Sequence, residues 1–178
     1  MSLSSRGAAA GSPWRVLGID TSLRSTGVGV VEACGSRLTA VEFGVLKAPA
    51  HARLSECLKC LHAGLAEIIA RSQPAAAAIE GAFFSRNART AMILGHARGV
   101  AIAVCAAQAL PVYEYAPRRV KQAVVGFGAA AKEQIQSMVT KLLSLPAAPP
   151  EDASDALAIA ICHLHSRTGY AALMPEEI

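Results

Sequence analysis

The sequence predicts an α/β fold in which a mixed five-stranded sheet is covered by helices on both faces. The first observation is the order of the segments: three strand-like runs come before a helix, a strand, a helix, a short strand and further helices. The second is a pair of short apolar runs, VLGID at 16–20 and AAIE at 77–80, each ending on a carboxylate. Such runs are typical of buried strands. The third is a leucine-rich stripe with helical spacing within residues 52–71.

Each element is assigned from its local pattern. Residues 15–20 form a first strand, and 28–33 and 38–46 form a hairpin through Cys34-Gly35-Ser36. Residues 21–27, TSLRSTG, are small and rich in hydroxyl groups, which predicts a turn. The remaining predicted elements are helix 52–71, strand 75–80, helix 87–109, strand 112–115, and helices 117–125, 130–144 and 151–166.

The chain is expected to form one domain at residues 14–167, with a flexible tail at 1–13 and a second tail at 168–178. A length of 178 residues suits a single core. The first segment has no apolar stretch of the kind that secretory signals carry. The longest apolar run, at about 99–110, is shorter than the roughly 20 residues that span a bilayer. Five cysteines, an odd number, favour reduced thiols, so we expect a cytoplasmic protein without a membrane segment.

Four acids lie at the ends of predicted strands or at the start of a predicted helix. Asp20 and Glu80 end two predicted strands, and sites in open sheets form outside the strand ends. Asp152 and Asp155 are three residues apart at the start of a predicted helix, so they point from one face. Gathered carboxylates repel each other unless a divalent cation lies between them. Because all the ligands are oxygen atoms, Mg²⁺ or Mn²⁺ is the expected ion.

The basic residues are concentrated in one part of the chain. The formal charge is 17 − 13 = +4, but residues 81–141 hold eight basic residues and two acids, or +6, which leaves −2 for the remainder. A basic surface beside an acidic metal site suits a phosphodiester substrate.

Two motifs have a structural alternative. Asp152 and Asp155 could cap a helix and interact with its dipole instead of binding metal. Phe83, next to the basic residues Arg86 and Arg89, could stack on unpaired bases or pack in the core.

These motifs resemble those of the RuvC Holliday junction resolvases, which have an RNase H-like fold. The resemblance covers about residues 16–165 and is carried by GIDTSLRSTGVGVV, IEGAFFSRNARTAMILGHARGVAIA, VYEYAPRRVKQAVVGFGAAAKEQIQSMV and EDASDALAIAICHLH. It implies a homodimer that binds four-way DNA junctions and nicks two opposing strands symmetrically during homologous recombination and DNA repair. It also implies cooperation with the RuvA and RuvB branch-migration proteins.

The resemblance also implies roles for individual residues. The four acids match the family's metal ligands, although some members have His at the position of Asp152. Phe83 matches an aromatic residue that inserts at the junction centre. Two lysines match basic residues near the scissile phosphate and the DNA backbone, and neighbouring arginines are further candidates for DNA binding: Lys121 and Lys132, then Arg86, Arg89 and Arg118.

The expected mechanism uses two Mg²⁺ ions per active site, which Mn²⁺ can replace. Two metal ions roughly 4 Å apart can activate a water and stabilise the departing 3′ oxygen in an in-line displacement. Asp20 is expected to bridge the ions, with Glu80 and Asp155 at its sides. Asp152 would complete one metal site or orient the water. Lys121 or the second lysine would stabilise charge on the phosphate.

The chain departs from the family pattern at two places. The family usually has Asp-Pro-Gly where this chain has Asp20-Thr21-Ser22, and it often has Gln where this chain has Gly81. Neither change removes a ligand. Both alter loops around the site, so they bear on rate and sequence preference more than on reaction type.

Three other functions remain open on the sequence. An actin-like ATPase or sugar kinase also begins with a strand that ends in Asp, but it needs two such domains. A non-catalytic junction-binding relative would have lost site acids, and all four are present here. A related resolvase acting on RNA or on other branched DNA would use the same carboxylates.

Overall fold

The computed structural model describes residues 13–81, 87–168 and 174–178. The described residues form five strands and five helices, which alternate much as predicted. In chain order they are β1 (Trp14–Asp20), β2 (Ser25–Cys34), β3 (Arg37–Lys47), α1 (Leu54–Ser72), β4 (Ala76–Glu80), α2 (Ala88–Ala107), β5 (Val112–Tyr115), α3 (Pro117–Val125), α4 (Lys132–Leu142) and α5 (Glu151–Thr168).

The strands form one mixed sheet in the order β3-β2-β1-β4-β5, which confirms the predicted five-stranded sheet. β1, β2 and β3 are antiparallel neighbours, whereas β1, β4 and β5 run parallel. Ile19 is in register with Ile79. The carboxylates of Asp20 and Glu80, one residue further along each strand, therefore lie at the same edge of the sheet.

Helices cover both faces of the sheet, as predicted. Alternate residues of β1 point to opposite sides, so Val16 joins one buried cluster and Leu17 the other. The cluster around Val16 includes residues of α3, α4 and α5. The cluster around Leu17 includes residues of α1 and α2. The sheet is therefore buried on both sides, and its polar strand ends are where a site can open to solvent.

Glycines let α5 pack with its backbone directly against β1 and β2. A Cβ atom on Gly18 would lie 1.9 Å from the carbonyl oxygen of Ala156, and one on Gly27 would lie 1.9 Å from the carbonyl oxygen of Asp152. Only a residue without a side chain tolerates such an approach. This close packing brings the first turn of α5 to the strand ends that carry Asp20 and Glu80.

The predicted start of the second strand is wrong by three residues. Residues 21–27 were expected to form a turn, but β2 begins at Ser25. Ser25 pairs with Lys47 of β3, and Gly27 pairs with Asp20 of β1, so the neighbouring strands on both sides extend β2. Small hydroxyl-bearing residues favour a turn, but here the pairing with both neighbours outweighs that preference. The helices predicted at 87–109 and 130–144 are also shorter, and correspond to α2 and α4.

The end of the chain contacts the outer edge of the sheet. Glu177 forms an antiparallel bridge with Tyr113, and the Ile178 N–H donates a hydrogen bond of 3.0 Å to the carbonyl of Val112. Nearby, His163 of α5 is buried and lies 3.0 Å through Nδ1 from the Tyr115 hydroxyl. Burial lowers the pKa of His163 to about 4.

Candidate active site

Acids from three elements face one cavity at the edge of the sheet. Asp20 of β1, Glu80 of β4 and Asp155 of α5 line a cavity of about 290 Å³. Asp20 and Glu80 also line a neighbouring cavity of about 250 Å³. Asp152, in the first turn of α5, is close enough to raise the pKa of Asp20 through its charge. The structure thus brings the four predicted acids together from positions up to 135 residues apart in the sequence.

Burial and mutual repulsion both oppose ionisation of these acids. Burial and then the charges of Asp155, Glu80 and Asp152 raise the pKa of Asp20 from 3.8 to about 7. Burial also raises the pKa of Glu80, and Asp155 adds to this. The pKa of Asp155 is raised by burial as well, and the positive charge of Lys132 only partly opposes the shift. Ionised together, these acids need more positive charge than the side chains around them supply.

The donor atoms fit a hard divalent cation. The four predicted ligands offer carboxylate oxygens and no sulfur or imidazole, which is the donor set that Mg²⁺ and Mn²⁺ prefer. Within the described ranges, no three His, Cys, Asp or Glu side chains are already drawn together tightly enough to hold an ion. β1, β4 and α5 nevertheless hold Asp20, Glu80 and Asp155 at one cavity.

Both predicted lysines lie at the same cavity as the acids. Lys121 of α3 donates a 2.7 Å hydrogen bond to the carbonyl of Ala130. Lys132, at the start of α4, pairs with Glu151 and lies 3.7 Å from the carboxylate of Asp155. The hydrogen bond that Lys132 donates to the Glu151 carboxylate is the largest cause of the raised pKa of Lys132. Two ammonium groups thus stand beside the acids, where an anionic substrate would meet them.

The other predicted DNA contacts lie further out or outside the described residues. Arg89 is exposed in the first turn of α2, whose N-terminus is capped by the Asn87 side chain through the N–H groups of Arg89 and Thr90. Arg118 is exposed in the first turn of α3. Phe83 and Arg86 fall outside the described residues, so their roles stay predictions.

Arg98 contacts the backbone of the site residue Glu80, a role that the sequence did not reveal. Its guanidinium Nη1 donates a 2.7 Å hydrogen bond to the carbonyl oxygen of Glu80, and Nη2 pairs with Glu114 of β5. The side chain of Arg98 is only 16% exposed. A Cβ atom on Gly81 would lie 2.8 Å from Glu114 Oε1, so the glycine leaves room for this ion pair. The departure at Gly81 was visible in the sequence, but its link to Arg98 was not.

The sequence matches a known family over most of the chain. The family model for "Crossover junction endodeoxyribonuclease RuvC" matches residues 16–163. The relative of that name from Dechloromonas aromatica (strain RCB) is 48% identical over 159 residues, which is 89% of both chains. Its counterpart from Pelobacter propionicus (strain DSM 2379 / NBRC 103807 / OttBd1) is 51% identical, over 85% of this chain and 86% of the relative.

A solved structure of a relative has the same fold. "T. thermophilus RuvC in complex with Holliday junction substrate" aligns with a TM-score of 0.84 and 34% identity, over 93% of this chain and 99% of that chain. The predicted RNase H-like fold and the predicted resemblance are confirmed. The chain belongs to the RuvC family of crossover junction endodeoxyribonucleases.

Proposed function

We propose that this protein resolves four-way DNA junctions by cutting two opposing strands at symmetric positions, with metal ions held by its acids. The observation that carries the proposal is the convergence of Asp20, Glu80 and Asp155 on one cavity beside Lys121 and Lys132. Family membership supports it, since the relatives are crossover junction endodeoxyribonucleases. The T. thermophilus relative, whose structure was determined with a Holliday junction, supports the choice of substrate.

The proposed cofactor is Mg²⁺, with two ions per active site and Mn²⁺ as a substitute. When bound, the ions would make a water more acidic and offset charge on the departing 3′ oxygen. Asp20 ends a strand with neighbours on both sides, so its backbone is rigid and it suits the role of shared ligand. Glu80 and Asp155 flank it. Asp152 would complete one site or orient the water.

The lysines would act on the phosphate. Lys121 Nζ is tethered to a backbone carbonyl, which leaves its other protons free to face the cavity. Lys132 is neutralised by Glu151 in the structure, and a bound phosphate would compete for its ammonium group. Positive groups beside a phosphate stabilise the charge that develops as the bond breaks. Lys121 is therefore our first candidate for a catalytic cation.

The proposed DNA surface extends from the cavity along the starts of α2 and α3. Arg89 and Arg118 are exposed there and would contact the phosphate backbone, which adds affinity and salt dependence rather than sequence selection. Arg86 would add to this surface, and Phe83 would stack on unpaired bases at the junction centre. A Phe83→Ala protein that distorts junctions normally would contradict the stacking role.

We propose that the protein acts as a homodimer, because a junction has two equivalent strands to cut. α2 is the candidate interface. Of the helices in the described ranges, it alone is long and apolar enough to span a membrane by length and composition, yet little of it is buried. Met92 is 65% exposed, and a Cβ on Gly95 or Gly99 would meet none of the described atoms within 4 Å. A second copy would cover this apolar surface.

The predicted RuvA and RuvB partners and the predicted cytoplasmic location are part of the same proposal.

The test is a strand-resolved cleavage assay on a mobile four-way junction, run with Mg²⁺, with a chelator and with the Asp155→Asn protein. We expect paired nicks at symmetric positions that need metal and are lost in the variant. Junction binding without nicks in the unmodified protein would contradict the catalytic proposal. Equal cleavage of linear duplex and junction would contradict the proposed substrate.

A further inference from the structure

Asp152 differs from the other three acids because another side chain already holds its carboxylate. The Ser25 hydroxyl donates a hydrogen bond to Asp152 Oδ2. Ser25 is the first residue of β2, and 127 residues separate it from Asp152. Sequence reasoning placed Ser25 in a turn and gave it no role.

The turn between β1 and β2 fixes the donor. The Ser25 N–H donates a 3.1 Å hydrogen bond to Ser22 Oγ. The Thr26 hydroxyl donates to the Ser22 carbonyl and accepts from the Ser22 N–H at 3.3 Å. Thr26 is 1% exposed, so this link is shielded from water. The Thr21-Ser22 sequence that departs from the family's usual Pro-Gly is therefore part of a turn closed by its own hydroxyl groups.

The backbone of the acceptor is fixed as well. Gly27 lies two residues after Ser25 and packs against the carbonyl of Asp152, with space for no Cβ. Both ends of the Ser25–Asp152 hydrogen bond therefore sit on backbones that cannot shift independently. With both backbones fixed, the hydrogen bond from the Ser25 hydroxyl selects the rotamer of the Asp152 carboxylate that can accept it.

We infer that Ser25 is a positioning residue that aims Asp152 at the metal site by occupying Oδ2 and leaving Oδ1 for the cation. The inference rests on the proposed function in one respect, the role of Asp152 as a metal ligand. Hydrogen bonds to ligating carboxylates fix their orientation, and their loss commonly reduces metal affinity by 10–100-fold. Donation from a hydroxyl also spreads the charge of one acid in a cluster of four.

The test compares Ser25→Val with Ser25→Thr, which have nearly the same shape and differ in the hydroxyl. Mn²⁺ binding is measured by isothermal titration calorimetry without DNA, and the Mg²⁺ concentration for half-maximal nicking is measured in parallel. We expect Ser25→Val to weaken Mn²⁺ binding by about tenfold and to raise the Mg²⁺ requirement by a similar factor. Ser25→Thr should bind Mn²⁺ like the unmodified protein.

A double substitution separates positioning from a merely structural role. If Ser25 acts through Asp152, Ser25→Val should have no further effect on Mn²⁺ affinity in an Asp152→Asn background. A full additional loss there, or equal Mn²⁺ affinity in Ser25→Val and the unmodified protein, would overturn the inference. A protein that binds Mn²⁺ with this dependence on Ser25 but cuts no junction would overturn the proposed function and leave the positioning role intact.

Discussion

The acids and the cations of this site are held in place by different means. Asp20 and Glu80 sit on the paired strands β1 and β4, and Asp155 sits on a helix packed through glycines onto β1 and β2. Lys121 and Lys132 reach the same cavity at the end of long side chains, tethered by a carbonyl and by Glu151. The acids are thus fixed by the backbone of the fold, whereas the lysines can exchange partners.

The difference follows from the charges involved. Holding several carboxylates together is unfavourable, so only a rigid framework keeps them close when no cation is bound. Ammonium groups that must bind and release a polyanion benefit from flexible stems and weak competing partners. If this contrast is correct, changes to the strands and helix that carry the acids should affect stability and metal binding. Changes to the contacts that hold the two lysines should affect phosphate binding and cleavage.

The largest effect is expected from Asp20→Asn, which removes the proposed shared ligand with little change in shape. Nicking of a four-way junction should fall below detection, while junction affinity in a gel-shift assay should be retained or improved because a negative charge is lost. Glu133→Gln, at an exposed position in the first turn of α4, is the control and should nick normally. Normal nicking by Asp20→Asn would remove Asp20 from the mechanism.

The metal-free protein should lose stability as the pH rises through the range in which Asp20 ionises. Its pKa is about 7 in the fold against 3.8 as the reference, so the folded state binds the proton more tightly and favours low pH. At roughly 1.4 kcal/mol per unit, the loss between about pH 4 and pH 7 has an upper limit of about 4 kcal/mol. His163, with its lowered pKa, contributes the opposite trend between about 4 and 6.5.

Comparison with Asp20→Asn isolates this contribution, because the variant keeps His163. The difference in unfolding free energy between the two proteins, measured by urea titration in chelator, should grow in favour of the variant from pH 4 to pH 8. Added Mg²⁺ should stabilise the unmodified protein at pH 8 more than the variant. A difference in unfolding free energy that does not change with pH would show that ionisation of Asp20 does not destabilise the folded protein.

The glycine contacts of α5 can be tested by a matched pair of alanine substitutions. A Cβ at Gly18 would collide with the α5 backbone, whereas a Cβ at Gly44 in β3 would meet none of the described atoms within 4 Å. We expect Gly18→Ala to destabilise the protein by about 3 kcal/mol or more, since backbone cannot move aside as a flexible side chain can. Gly44→Ala should be near neutral or slightly stabilising. Equal effects in denaturant titrations would contradict the packing account.

The smallest effect is expected from the arginine that braces Glu80. Arg98→Met leaves Glu114 unpaired and the Glu80 carbonyl without its donor, which we expect to cost about 2 kcal/mol. Arg71→Met is the control, because Arg71 is 53% exposed and pairs with Glu42 and Glu67 on the surface. Such surface pairs contribute about 0–1 kcal/mol. Similar costs for the two variants would remove the bracing role of Arg98.

The sequence was most informative where local pattern and fold coincide. Apolar runs that end on Asp20 and Glu80 predict strands with acids at one edge, and the spacing of Asp152 and Asp155 predicts one helical face. The parallel pairing of β1 with β4 then brings these acids together, as expected. The order of strands and helices was sufficient to predict a mixed sheet covered on both faces.

The contacts that brace the site were not predictable in the same way. Ser25 meets Asp152 across 127 residues, and no local pattern distinguishes its hydroxyl from those of its neighbours. In the sequence Arg98 is only one of the eight basic residues of 81–141, because its partner Glu114 lies on a separate element, β5. Such contacts depend on how helices and strands pack. The roles of Phe83 and Arg86 stay predictions.

The most direct test of the central claim is to locate the cation. Crystals of the unmodified protein soaked in Mn²⁺ should show anomalous difference density between the carboxylates of Asp20, Glu80 and Asp155, and crystals of Asp155→Asn should show less or none. Density at these carboxylates in the unmodified protein alone would establish that the cluster is a metal site. Mn²⁺ bound elsewhere, with these carboxylates left without an ion at saturating metal, would contradict the account.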